Sequence, residues 1–260
     1  MSRRHSSGPR TLAAAVFATV LAACGSAESL PPIAPPPVLA PAGEPVVFAA
    51  LGASETAGAG IGDMPLQLRA AWPQLFFNEA LPRAATYYNF AVGGITAREA
   101  LQVEVPAALA VHPTLASVFF TLDDLLHGDP VADYQADLEA IVHALRQGGR
   151  ATVLVANTPL LDDLPAYRTC LAPTPSSPCK LPDPASVPPP GAVRTLVQSY
   201  DAAAARVAAH EGAILVDLAA HSGDVLADPA LVAGDGFHPS PLGHAEIARL
   251  FAAAYAARRR

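Results

Sequence analysis

Val46-Val47-Phe48-Ala49-Ala50-Leu51-Gly52-Ala53-Ser54-Glu55 is an apolar run that breaks at a glycine and meets a serine two residues later. A run so short and so continuously apolar reads as a strand buried on both faces, as in the middle of a parallel sheet. The chain then turns sharply through small residues, and Ser54 falls at the strand's carboxyl end, where open parallel sheets present their ligands. Four more runs of this kind follow, at 86–91, 116–122, 151–156 and 213–217. Helix-period patterns separate them at 65–80, 96–111, 131–147 and 193–210, and a last one closes the chain at 241–257. In the third, Tyr134, Leu138, Ile141, Val142 and Leu145 share one face, Asp129-Pro130 reads as cap and first turn, and Gly148 as the stop. Ser240-Pro241 opens the last helix in the same way. This alternation predicts an α/β fold, a doubly wound three-layer α/β/α sandwich on a five-stranded parallel sheet.

Far from the first stretch lies Asp235-Gly236-Phe237-His238-Pro239, a carboxylate and an imidazole on a turn rich in Gly and Pro. Serine alone is a poor nucleophile. An imidazole accepts its proton, and a carboxylate holds that imidazole in the right tautomer. Ser54, His238 and Asp235 are therefore expected to meet as a hydrolytic triad. Asn89-Phe90-Ala91-Val92-Gly93-Gly94-Ile95-Thr96 follows the second strand, and its glycines let backbone N–H groups face a cleft. By itself it is an ordinary strand-to-helix turn. Phe119-Phe120-Thr121-Leu122-Asp123-Asp124-Leu125 sets two carboxylates at the end of the third strand. Taken singly, Asp123 and Asp124 read as helix-capping or solvated residues.

The 260 residues are 52% hydrophobic and 15% charged, which marks a globular chain and excludes intrinsic disorder. Less an export signal and a linker, that length suits one well-buried domain. A formal charge of −7 gives no electrostatic case for nucleic acid. Arg3, Arg4 and Arg10 precede a short apolar stretch at 11–20, too short to span a bilayer comfortably, so residues 1–23 read as a signal peptide. Leu21-Ala22-Ala23-Cys24 resembles a bacterial lipobox, which implies lipid on Cys24, export, and a cell-membrane anchor with the protein on the extracytoplasmic side. Pro31-Pro32 and Pro35-Pro36-Pro37 make 24–44 a semi-rigid tether, leaving 45–260 as the folded domain. Cys170 and Cys179 flank Pro-rich sequence in a long insertion at about 160–191; in an exported protein they are expected to form a disulfide. That insertion lies on the strand-end side of the sheet, where it can wall a cleft.

Taken together, these blocks resemble the GDSL/SGNH hydrolase superfamily, from Val46 to about Ala257. The resemblance implies a flavodoxin-like sandwich and a nucleophilic Ser54 in the family's Gly-Asp-Ser block. It implies Asp235 and His238 from its late Asp-x-x-His block, and an oxyanion hole built from Ser54, Gly94 and the residue at 123. Asp235 to His244 follows the pattern Asp-Gly-x-His-Pro-x-x-x-Gly-His and is the most specific match; Trp72-Pro73-Gln74-Leu75 also fits. Two positions depart. Ala53 replaces the family's Asp before the serine, which is mainly structural there. Asp123 replaces its Asn, within Thr121-Leu122-Asp123-Asp124 in place of Gly-x-Asn-Asp. The amide donates to an oxyanion, whereas an ionised carboxylate only accepts and repels it.

Other signals are weaker. Gly58-Ala59-Gly60-Ile61-Gly62 lacks the spacing of a dinucleotide loop. His112, His127, His143, His210 and His221 are scattered without ligand spacing, and His244 reads as structural. The sequence thus predicts a monomeric serine esterase or acylhydrolase that uses no cofactor or metal and acts on a small-molecule, lipid or glycan ester. The competing expectation is a module of the same fold that binds an acylated glycan or cell-envelope ligand and has lost turnover through Asp123.

Overall fold

The computed structural model describes residues 45–179 and 187–258; the signal peptide, Cys24 and the tether expected over 1–44 lie outside the described residues. Five strands, β1 (Val47–Gly52), β2 (Thr86–Asn89), β3 (Leu115–Phe119), β4 (Thr152–Ala156) and β5 (Ile214–Val216), form one sheet in the order β2-β1-β3-β4-β5. Every pairing is parallel. The chain moves outward from β1 to β2 and then returns to β3 on the other side of β1. Winding therefore reverses between β1 and β3, and a crevice opens over their carboxyl ends.

Side chains alternate across the sheet, so successive residues of β1 feed different cores. Ala49 and Leu51 join Val118, Val153 and Val155 on one face, covered by α4 (Ala97–Ala110), α6 (Val131–Arg146) and α8 (Pro190–Glu211). Phe48 and Ala50 join Leu115, Leu154 and Val216 on the other, covered by α3 (Trp72–Ala80) and α10 (Pro241–Ala257). There Trp72 stacks on Phe251 with ring centroids 4.0 Å apart. The remaining helices are short: α1 (Ser54–Ala57), α2 (Met64–Ala70), α5 (Leu122–His127), α7 (Pro165–Leu171) and α9 (Ser222–Ala227). The predicted three-layer sandwich is the observed fold.

Four details differ from the sequence reading. The helix expected over 65–80 is two helices, broken at an extended Ala71 (φ −61°, ψ 141°). Pro73 cannot sit in a helix interior, because its ring clashes with the carbonyl four residues back; in the first turn of a new helix its missing donor costs nothing. β2 is an edge strand with most of its residues exposed, not one buried on both faces. The third strand stops at Phe119 instead of running to 122, and Asp123 and Asp124 lie in the first turn of α5. Finally, α6 is capped by Pro130 with no side-chain bond from Asp129, and its end is already left-handed at Gln147. Ser240 does cap α10 as expected, accepting from the Gly243 N–H at 3.2 Å.

Candidate active site

β1 ends where it does because of Gly52. Its φ is +152°, and an added Cβ would lie 2.3 Å from Thr56 Oγ1 and 2.5 Å from the Phe119 carbonyl oxygen. Only glycine lets β1 pass so close to β3 and turn at once into α1, which Ser54 begins. The Asp235–Pro239 turn comes down over this point. An added Cβ on Gly60 would lie 2.2 Å from the Pro239 carbonyl oxygen and 3.0 Å from His238 Cβ. Gly60 thus allows a close approach of two backbones, the loop after α1 against the histidine turn, while Gly58 faces Gln67 and Ala71 of α2 and its end.

At that meeting point His238 Nε2 is 3.1 Å from Ser54 Oγ. His238 Nδ1 is 2.7 Å from Asp235 Oδ2. The other carboxylate oxygen accepts from the backbone N–H groups of Phe237 at 2.9 Å and His238 at 3.0 Å. Burial pushes Asp235 upward, but the bond with His238 and the two amide bonds outweigh it and hold the carboxyl below its ordinary range. An ionised Asp235 keeps the proton on Nδ1, which leaves Nε2 free to accept from the serine. Residues 184 positions apart in sequence therefore form one hydrogen-bonded line.

His244, on α10, ties that helix to the loop after α1 and to the start of α3. It is fully buried, its Nε2 donates to the Ala59 carbonyl at 2.9 Å, and its Nδ1 accepts from the Trp72 N–H at 3.3 Å. Burial lowers its pKa to about 4, so it stays neutral and structural, as the sequence suggested. The Gly93–Gly94 loop runs beside the serine: a Cβ on Gly93 would lie 3.9 Å from Ser54 Cβ, and Gly94 takes φ +80°. Asp124 accepts from the Ala97 N–H at 3.1 Å, tying α5 to the start of α4. Asp123 is half-buried, and its Oδ2 has no hydrogen-bond partner among the described residues. Burial raises its pKa, while His127 and His238 act in the opposite direction, which places Asp123 within electrostatic reach of the histidine.

Two buried carboxyl groups close to the serine turn escaped the sequence reading. Glu55 is 7% exposed, and burial raises its pKa against the influence of His238. Nothing in its local sequence marks it. Glu104 is 1% exposed and accepts from the N–H groups of Gly52 and Val92, each at 2.9 Å. Burial pushes it up to about 8. Its signal was present, since Ala97, Ala100, Glu104 and Ala108 share the buried stripe of α4.

The insertion after β4 walls one side of this site. Ala166, in the first turn of α7, donates its N–H to the Gly236 carbonyl at 2.9 Å, and Cys170 and Cys179 are bonded to each other. A groove bordered by Pro165, Thr169, Ser177, Asp235 and Phe237 lies between them. On the other side of His238 is a pocket of about 810 Å³, open space toward solvent included. Phe119, Leu122, Leu161, Leu164 and Phe237 make it largely apolar, and Glu55 and His238 border it. Two groups, Glu139-His210-Glu211 and His221-Asp224-Glu246, gather ligand-type atoms within 4.8 Å of one another, although their sequence spacing does not suggest it. Neither group has a buried member, and surface carboxylates and histidines gather in this way without an ion.

A family description, the GDSL-like lipase/acylhydrolase family, matches residues 50–246. The chain belongs to that family. No match is found among curated protein sequences. Among solved structures, TesA is similar with a TM-score of 0.60 and 19% identity, over 82% of this chain and 99% of that one. A lipase/acylhydrolase from Enterococcus faecalis gives 0.60 and 19%, over 82% and 96%. An acetylxylan esterase from Geobacillus stearothermophilus gives 0.59 and 17%, over 80% and 93%. At such identities these likenesses concern the fold, which is the SGNH hydrolase α/β sandwich. Thr121, just after β3, takes φ +97°, a region that costs a non-glycine residue about 1–3 kcal/mol. Its hydroxyl is 2.7 Å from the buried Tyr134 hydroxyl, which helps to hold it there.

Proposed function

We propose that this chain is a serine esterase whose nucleophile is Ser54. The observation that carries the reading is the hydrogen-bonded line from Ser54 Oγ through His238 to Asp235 Oδ2. In the first half-reaction His238 Nε2 takes the Ser54 proton as Oγ attacks the ester carbonyl. The resulting imidazolium, stabilised by Asp235, gives that proton to the departing alcohol and leaves an acyl-serine. In the second half-reaction His238 deprotonates a water that attacks the acyl carbon, then returns the proton to Ser54 as the acid leaves. The backbone N–H groups of Ser54 and Gly94 serve the oxyanion, and Asp123 takes part only when its carboxyl is protonated.

The apolar pocket next to His238 favours an aliphatic ester over a small polar one, because burying a methylene there contributes about 0.8 kcal/mol. A panel of p-nitrophenyl esters tests both points. Rates are expected to rise from acetate toward medium-length chains; no hydrolysis of any ester would refute the esterase reading, and a preference for acetate would refute the pocket's role.

A second reading has its own observation, the unpartnered Asp123 carboxylate. Ionised, it would leave a module that binds an acylated glycan or envelope ligand without turning it over. For the part of the chain before the domain at 45–260, we propose a signal peptide over 1–23 and a lipidated Cys24 holding an exported protein to the membrane. Cys24→Ser is then expected to move the protein out of the membrane fraction, and unchanged partitioning would count against the anchor.

A further inference from the structure

Three segments converge on Glu104. Gly52 ends β1 two residues before Ser54, and Val92 lies two residues before Gly94. Each sends its backbone N–H to a different oxygen of the same carboxyl group, Gly52 to Oε2 and Val92 to Oε1. The Val92 N–H also lies 3.2 Å from the Gly52 carbonyl, so the two loops touch directly at this point. Glu104 itself is carried by α4, which begins just beyond Gly94 and brings the side chain back about two turns later. The start of that helix is fixed independently. Thr96 and Glu99 form a reciprocal cap, and Asp124 accepts from the Ala97 N–H.

We infer that Glu104 is a positioning residue that clamps the nucleophile turn to the oxyanion loop and sets the distance between Ser54 and Gly94. This inference rests on the esterase reading above. A carboxyl group is required because two donors arrive from different segments, the end of β1 and the loop after β2, and each takes its own oxygen. Glutamine offers one acceptor and turns an N–H toward the other donor. Aspartate is one methylene short of spanning both. Reaction rate depends on the serine and the oxyanion donors meeting one carbonyl group together, and a displacement of 1 Å in such a site costs about a hundredfold. Ground-state substrate binding, made in the apolar pocket across the sheet from α4, is not touched.

The test is Glu104→Gln, with Glu104→Asp as a second variant in case the first does not fold. Both are compared with wild type at a temperature where circular dichroism shows all of them folded. The clamp predicts kcat lowered about ten- to hundredfold with KM within about twofold. It also predicts that the rate constant for phosphorylation of Ser54 by diethyl p-nitrophenyl phosphate, with p-nitrophenolate leaving, falls in parallel. A purely structural Glu104 would lower the melting temperature and leave both rates of the folded variant at wild-type values, which would overturn the inference. A wild-type Ser54 that does not react with the phosphate triester would overturn the esterase reading instead, so the two failures are distinguishable.

Discussion

Ser54→Ala is expected to abolish ester hydrolysis while leaving the protein folded. Removing the nucleophile from a serine–histidine pair costs about 10⁶-fold in kcat elsewhere, and what survives comes from the oxyanion hole and binding alone. The substitution deletes one hydroxyl at a half-buried position and opens no cavity in either core, so stability should change by no more than about 1 kcal/mol. Turnover of the best p-nitrophenyl ester, with the melting temperature measured beside it, checks both halves. Hydrolysis near the wild-type rate in a folded variant would remove Ser54 from the mechanism.

Asp123→Asn is expected to raise turnover by about tenfold. The exchange is nearly isosteric, and it turns an acceptor whose Oδ2 has no hydrogen-bond partner among the described residues into a donor, at the position that the proposed oxyanion hole assigns to 123. Losing one such donor in another enzyme costs about 10²–10³ in rate. The gain here should be smaller, because Thr121 and the first turn of α5 hold a carboxyl at this point and no partner orients an amide. The pH profile separates the two states of Asp123. Burial raises its pKa, so a protonated, donating carboxyl persists to higher pH than an ordinary aspartate does. Activity that depends on this donor falls as pH rises through that pKa, and the Asn variant loses the limb. An Asn variant slower than wild type at every pH would place Asp123 outside the oxyanion hole.

The sheet was legible because its inner strands are apolar on both faces and carry their signal locally. β2 was assigned too much burial, since Tyr87 packs inward against Phe48 and Phe77 while Tyr88 faces out, and composition alone does not distinguish these cases. The end of β3 was hidden by Phe120, Thr121 and Leu122, which continue the apolar run while the backbone reverses at Thr121. The candidate triad was legible because its histidine and aspartate sit on one turn and its serine follows a strand. The pocket was not, because it is assembled from segments scattered between Glu55 and Leu250. Glu55 is buried and borders the same pocket as Phe237, His238 and Pro239, which its local sequence does not announce. Glu104 stood on the apolar stripe of its helix, where a charged residue signals a partner elsewhere in the fold.

The central claim is an activated serine at position 54, and a fluorophosphonate probe tests it most directly. Such a reagent phosphonylates serine only where a neighbouring base removes the proton, so surface serines stay silent. Intact protein treated near neutral pH and analysed by mass spectrometry should gain one phosphonyl group. Peptide mapping should place it on Ser54, and Ser54→Ala and His238→Ala proteins should gain none. Folded wild-type protein that stays unlabelled, or that is labelled at a different serine, would contradict the account.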